Sequence, residues 1–280
     1  MPAVGVVGLG TMGTGIAQVC IEAGYDVVAL DVNQSIVDVA IAKIRKGIDK
    51  RVEKGLMGAA AADKALNRLT GTVSFSDISS CFMVIEAVFE KLDVKSKAIS
   101  RIADSVSDDA VIGTNTSSIS ITLLSRNARI PGNFLGMHFF NPVALMPIVE
   151  IVSGLETSEH SLSIAKTVAK RMGKETVGAK DYPGFVSNRI LMPMINEAVF
   201  ALMEGVSSRE GIDRIMKLGM NHPMGPLELA DFIGLDICLD IMNVLHAGFG
   251  DSKYRPAPLL VNMVNAGKLG KKSGEGFYKY

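Results

Sequence analysis

The sequence holds no CxxC pair and no Cys/His spacing of the kind that binds zinc. Its three cysteines, Cys20, Cys81 and Cys238, are odd in number and far apart. They read as free thiols in a reducing compartment, which excludes a disulfide scaffold. Net charge is also missing: Lys and Arg total 29 against 29 Asp and Glu. No overall positive field draws the chain to nucleic acid or anionic lipid, so a charged partner must be met by a local patch. Although 48% of the 280 residues are hydrophobic, no apolar run reaches the roughly 20 residues that a membrane-spanning helix needs. The opening MPAVGVVGLG enters a strand pattern at once and leaves no room for a signal peptide. Internal repeats and low-complexity tracts are absent. These absences predict a cytoplasmic chain with no nucleic-acid or membrane partner and enough apolar content for one large core or two ordinary ones.

What is present divides into two textures. Up to the segment KDYPGF, short runs of β-forming residues alternate with helical patterns, the signature of a parallel sheet with crossover helices. Strands are predicted over residues 3–7, 26–30, 72–75, 82–87, 110–114 and 134–139, with two more over 147–152 and 175–177. One excursion interrupts the alternation. Val37, Ile41, Ile44, Ile48 and Val52 form an apolar stripe at helical spacing, Gly55 ends that helix, and a second helical stretch follows before Thr72. The same helix carries Lys43, Lys46, Lys50 and Lys54, with Arg45 and Arg51 nearby. That basic line reads as an ordinary solvated face unless the ligand is a polyanion. After Tyr182-Pro183-Gly184 the patterns are helical throughout, with Pro193 expected to kink or break the first helix. Further helices are expected from Ser207, from Pro226 and around Pro258.

The segment VGVVGLGTMGTGIAQ sets Gly8, Gly10 and Gly13 as GxGxxG directly after an apolar strand and at the start of a helix. The first glycine permits a tight turn, the second lets a pyrophosphate approach the backbone, and the third lets helix and strand pack closely. The helix N-terminus then stabilises phosphate charge. Asp31, closing YDVVALD, stands where an acidic residue binds the adenosine ribose hydroxyls, and its charge favours NAD over NADP. The expected fold is therefore α/β: a Rossmann-type, mostly parallel sheet with a helical hairpin excursion over residues 1–182. An all-α domain over residues 183–280 follows it.

The stretch MHFFNPVALMPIVE puts a histidine in one apolar run and a glutamate in the next. If the two runs form an antiparallel hairpin centred on Ala144, residues 138 and 150 are each six positions from the centre. His138 then faces Glu150 across the ladder, with Cβ atoms about 4.5 to 5.5 Å apart. Glu150 would take the proton of one ring nitrogen, fix the tautomer and leave the other nitrogen to act as acid or base. A structural buried ion pair fits the pair alone equally well. Asn115, Ser117 and Ser118 lie just past a predicted strand end, where open α/β sheets place their ligand crevice; as a Ser/Thr cluster they also suit a helix cap. Asn188 shares a helical face with Leu191, Ile195 and Leu202, so its amide needs a partner, from the core or from a substrate.

Together these segments resemble the (S)-3-hydroxyacyl-CoA dehydrogenases. The likeness runs over essentially the whole chain through GLGTMGTGIAQ, VIEAVFE, NTSSI, HFFNPVALMPIVEI, KDYPGFVSNRI, HPMGPLELADFIGLD and GKLGKKSGEGFYKY. The resemblance implies that His138 is the general acid/base and Glu150 its orienting partner. It implies that Ser117 and Asn188 hydrogen-bond the substrate and that Asn115 lies close to the nicotinamide. Glu90 and Lys95, in VFEKLDVK, match the family's cofactor-contacting pair, and Lys50 and Lys54 match its coenzyme A contacts. It also implies a homodimer formed through the helical domain.

The expected activity is reversible hydride transfer between NAD and a short-chain (S)-3-hydroxyacyl-CoA/3-oxoacyl-CoA pair, with 3-hydroxybutyryl-CoA and acetoacetyl-CoA foremost. Two other readings stand beside it. GLGTMG also suits 3-hydroxyacid dehydrogenases acting on free acids, but these use a lysine in the interdomain helix, where this chain offers Asn188 and Arg189. A nucleotide-binding sensor without turnover would keep the fold, and fold alone does not exclude it.

Overall fold

The β-forming runs of the first half pair into one eight-stranded sheet. The computed structural model describes residues 3–280. Its first unit ends at Asp181, and the second covers Tyr182–Tyr280. Along the first unit run β1 (Ala3–Val7), α1 (Thr11–Glu22), β2 (Asp26–Leu30), α2 (Gln34–Glu53), α3 (Ala59–Leu66) and β3 (Leu69–Thr72). After them come β4 (Cys81–Glu86), α4 (Leu92–Ser105), β5 (Val111–Thr114), α5 (Ile121–Ser125), β6 (Phe134–Phe139), β7 (Ile148–Ser153), α6 (Glu159–Arg171) and β8 (Glu175–Lys180). All neighbours are parallel except β6 and β7. The run β3-β2-β1-β4-β5-β6 is the doubly wound order that places a dinucleotide at the reversal between β1 and β4.

The strands are apolar on both faces because helices cover both. Val4, Val6, Met83, Ile85 and Val111 are fully buried, and Ile16 of α1 and Ile44 and Ile48 of α2 belong to the same core. Cutting one such isoleucine to alanine costs about 2–5 kcal/mol. The excursion is present as α2 and α3. Gly55, at φ +68°, stops α2 with its amide on the Val52 carbonyl and the Leu56 amide on that of Arg51, a Schellman closure.

The strand expected over residues 72–75 is displaced. β3 is Leu69–Thr72, paired with Val27 to Leu30, and Phe75–Ile78 is a 3-10 turn. The polar cluster after Thr72 causes this: the Thr72 hydroxyl donates to Asp77 at 2.5 Å and accepts the Ser74 amide at 3.0 Å. Side chains bound so locally favour a turn over a ladder.

The second unit comprises α7 (Ser187–Met203), α8 (Arg209–Gly219), α9 (Pro226–Ile233), α10 (Leu235–Phe249) and α11 (Pro258–Asn265). Pro193 does not end α7, which continues through it. A proline removes one hydrogen bond, and the buried Met192, Ile195 and Val199 hold the helix on both sides of the gap. The C-terminal tail is tied to the helices by Asp231, whose carboxylate accepts the amides of Phe277 and Tyr278 at 2.9 and 2.8 Å. The three cysteines are free and buried. Among the described residues, no single helix is long and apolar enough to cross a membrane.

Candidate active site

The turn from β1 into α1 is built for close approach. Gly8 has φ +93°, and a Cβ there would meet the Ala87 and Val88 backbone at 2.7 Å. A Cβ at Gly13 would strike the Gly8 carbonyl, whereas the space above Gly10 is open to 4 Å. Gly10 is also the N-cap of α1, and no side chain caps that helix. Uncapped amides beside an open glycine fit the pyrophosphate of a dinucleotide.

Asp31, one residue past β2, accepts the Leu9 amide at 2.7 Å on one oxygen and the Val32 amide at 2.7 Å on the other. It therefore ties the glycine loop to the strand end, a task that sequence alone did not reveal. It also lines a mostly apolar cleft of about 220 Å³ with Gly8, Leu30, Phe75, Val88 and Arg101. The Arg101 guanidinium lies 3.9 Å from the Phe75 ring centroid. An apolar slot with a carboxylate at its edge matches adenosine, so the residues present fit NAD.

The C-terminal ends of β4 and β5 carry a second network. Glu86 is fully buried and accepts the Val88 amide at 2.7 Å and the Thr114 hydroxyl at 2.5 Å. Lys95, on the first turn of α4 and 1% exposed, donates to both Glu86 oxygens at 2.9 and 3.2 Å. The same ammonium lies 3.3 Å from Oε2 of Glu90. Oε1 of Glu90 faces the turn after β5. It accepts the Thr116 hydroxyl at 2.6 Å and the Ser117 amide at 2.8 Å, with the Ser117 hydroxyl at 3.3 Å. Burial opposes the charge on Glu90, but Lys95 and the Thr116 and Ser117 donors outweigh it and hold its carboxyl below the usual glutamate range. Ser117 and Ser118 are thus not helix caps. That part falls to Ser120, whose hydroxyl accepts the Leu123 amide in α5.

Asn115 bridges to the next strand, its Oδ1 accepting the Phe139 amide at 3.0 Å. Beside that contact, His138 and Glu150 are directly opposed in the β6/β7 ladder. His138 Nδ1 is 2.6 Å from Glu150 Oε2, and both residues are buried, at 8% and 3% exposure. Phe140 packs on the imidazole with ring centroids 4.8 Å apart. As direct partners in the ladder the two side chains project from one face of the sheet, and burial makes each compensate the other. The hairpin loop is held by Lys174, the residue just before β8. Its ammonium donates to the carbonyls of Val143 at 2.5 Å and Met146 at 2.7 Å.

Of the residues singled out from sequence, the first unit brings Glu90, Ser117, Asn115, His138 and Glu150 to the ends of β4, β5 and β6 and to the strand facing β6. Lys95 is there too, but enclosed. Lys50 and Lys54 are exposed at the C-terminal end of α2, Lys54 as its C-cap. Asn188 belongs to the second unit, buried in the first turns of α7. Glu86, Thr114 and Lys174 were missed. The acid in VIEAVFE could have flagged Glu86, since a carboxylate ending an apolar strand needs a buried partner.

Two family models cover the chain: the 3-hydroxyacyl-CoA dehydrogenase NAD-binding domain matches residues 3–182, and the 3-hydroxyacyl-CoA dehydrogenase C-terminal domain matches residues 184–280. A probable 3-hydroxybutyryl-CoA dehydrogenase of Deinococcus radiodurans is 51% identical over 276 residues, covering 99% of each chain. The 3-hydroxybutyryl-CoA dehydrogenase of Bradyrhizobium diazoefficiens is 47% identical, over 99% of this chain and 94% of that one. Among solved structures, the crystal structure of (S)-3-hydroxybutyryl-CoA dehydrogenase from Ralstonia eutropha superposes with a TM-score of 0.98 at 46% identity. It covers 100% of this chain and 99% of that chain.

Proposed function

The chain belongs to the 3-hydroxyacyl-CoA dehydrogenase family, and we propose that it interconverts (S)-3-hydroxybutyryl-CoA and acetoacetyl-CoA, with His138 as the acid/base. It is an NAD-dependent oxidoreductase. The observation that carries the site assignment is the buried, directly opposed His138–Glu150 pair with its 2.6 Å contact.

The chemistry follows from the donors and acceptors in place. NAD, when bound, supplies the hydride acceptor for the substrate C3, or in reverse the donor. His138 keeps its Nδ1 proton in a hydrogen bond to Glu150, and Nε2 would take the C3 hydroxyl proton in oxidation and return it in reduction. Glu150 stabilises the imidazolium at that moment, when its charge is new. Ser117 and Asn188 are proposed as hydrogen-bond donors to the C3 oxygen, where a pre-organised donor lowers the barrier most. Asn115, its oxygen occupied by Phe139, keeps its amide nitrogen without an acceptor among the described residues, which suits a contact to the nicotinamide. Phe140 keeps water from one face of the imidazole.

Lys50 and Lys54 are proposed to meet the phosphates of coenzyme A. A chain with balanced charge needs such a local patch, and both side chains are exposed on α2. A homodimer through the second unit is proposed as well. On α8 the only buried side chain is Asp213, while Ile215 and Leu218 of that helix and Met220 just after it lie exposed at 60%, 75% and 60%, an apolar face suited to a second copy. A cytoplasmic location accords with three free thiols.

The test is NADH oxidation followed by absorbance, with acetoacetyl-CoA, then acetoacetate, then NADPH in place of NADH. Turnover confined to the thioester with NADH is the expected result. Turnover of the free acid alone would replace this reading with a 3-hydroxyacid dehydrogenase. NADH binding with no turnover of either would leave a sensor.

A further inference from the structure

Lys95 is 1% exposed, and a lysine is enclosed that completely only when its charge is compensated. Two carboxylates share it. Glu86 is the immobile one: it has no exposure and is fixed by the Val88 amide and the Thr114 hydroxyl as well as by both bonds from Lys95. Glu90 is the adjustable one, with 37% of its side chain exposed. A single Glu90 oxygen faces Lys95, and the other faces donors from Thr116, Ser117 and Ser118. Charge-assisted bonds of 2.6 and 2.8 Å are strong enough to fix that turn. The Ser117 hydroxyl lies 3.3 Å from the same oxygen.

We propose that Lys95 and Glu90 are positioning residues: the ammonium, pinned by Glu86, steers the Glu90 carboxylate so that one oxygen sets the Thr116–Ser118 turn and aims Ser117. This rests on the reading of Ser117 as a substrate contact. It gives Lys95 a task other than touching the cofactor, because its ammonium is spent on Glu86, Glu90 and, at 3.5 Å, the Val88 carbonyl. A side chain that must be placed within about half an ångström gains from such a rigid second layer.

The experiment is a double-mutant cycle of Glu90→Ala and Ser117→Ala on the full-length protein, with kcat for acetoacetyl-CoA and the NADH Kd read by dinucleotide fluorescence. Glu90→Ala leaves Lys95 paired with Glu86, so folding is retained. We expect Glu90→Ala to lower kcat about tenfold, to change the NADH Kd by no more than about twofold, and to add nothing to the loss in Ser117→Ala. Lys95→Met combined with Glu86→Gln, which avoids a lone buried charge, should repeat that pattern. Independent, multiplying losses in the double variant would overturn the proposal. So would a tenfold weaker NADH Kd with kcat unchanged at saturating NADH, which is the signature of a cofactor contact. A tenfold loss in Ser117→Ala beside an unaltered Glu90→Ala defeats the clamp alone. An unaltered Ser117→Ala defeats the assignment of Ser117 itself, and the clamp with it.

Discussion

His138 and Glu150 occupy directly opposed positions in the antiparallel ladder of β6 and β7, and Nδ1 of the one lies 2.6 Å from Oε2 of the other. The pairing register alone creates this contact. A slip of one residue would turn one of the two side chains to the opposite face of the sheet. The loop between the strands therefore matters to the chemistry at a distance, and Lys174 holds that loop by two carbonyls.

Lys174→Met should lower stability by about 1–3 kcal/mol, because the Val143 and Met146 carbonyls lose a buried donor. Activity should fall less than stability while the chain stays folded. Chemical denaturation beside steady-state kinetics checks this, and an unchanged denaturation midpoint would remove Lys174 from the account.

Lys50→Ala and Lys54→Ala together should raise KM for acetoacetyl-CoA several-fold and leave kcat nearly constant, since exposed charge pairs contribute about 0.2–1 kcal/mol each. A thioester lacking the nucleotide phosphates should show no such change. Equal effects on both thioesters would return the basic line on α2 to an ordinary solvated face.

The hairpin, the glycine turn and the helical excursion could all be read from the sequence because each has a local cause: apolar periodicity, φ above zero, or a symmetrical apolar run about Ala144. The misplaced β3 shows the limit of that reading. Val73 and Phe75 have strand-forming side chains, but hydrogen bonds among Thr72, Ser74 and Asp77 take the chain into a turn. Glu86 escaped for a different reason. Its partners Lys95 and Thr114 stand nine and 28 positions away, and no periodicity links them. The two duties of Asp31 were likewise only half legible, since its bond to the Leu9 amide spans 22 positions.

Acid stability offers a separate check on Glu90. Its carboxyl in the folded chain is held below the ordinary value near 4.5, because Lys95 and the turn's donors outweigh burial. Over the window from the depressed value up to 4.5 the folded chain binds fewer protons than the unfolded one. The stabilisation is complete above that window and is lost as pH falls through the folded value. The stability difference between the natural chain and Glu90→Gln should therefore shrink as pH falls from 6 toward 3. A difference that stays constant across that range would contradict the ion pair.

The apolar face of α8 should close a dimer. Leu218→Arg, placed on a side chain that is 75% exposed, should shift the mass measured by light scattering toward the 29.8 kDa of one chain, with the circular dichroism unchanged. A natural chain that already runs as a monomer at micromolar concentration would leave that face without a role.

The most direct test of the whole account is His138→Gln, assayed for acetoacetyl-CoA reduction and for NADH binding on the same preparation. Loss of a positioned acid/base should lower kcat by about 10²- to 10⁴-fold while the NADH Kd stays within about twofold. A variant that turns over at the natural rate would contradict the assignment of His138 and, with it, the mechanism built on the His138–Glu150 pair.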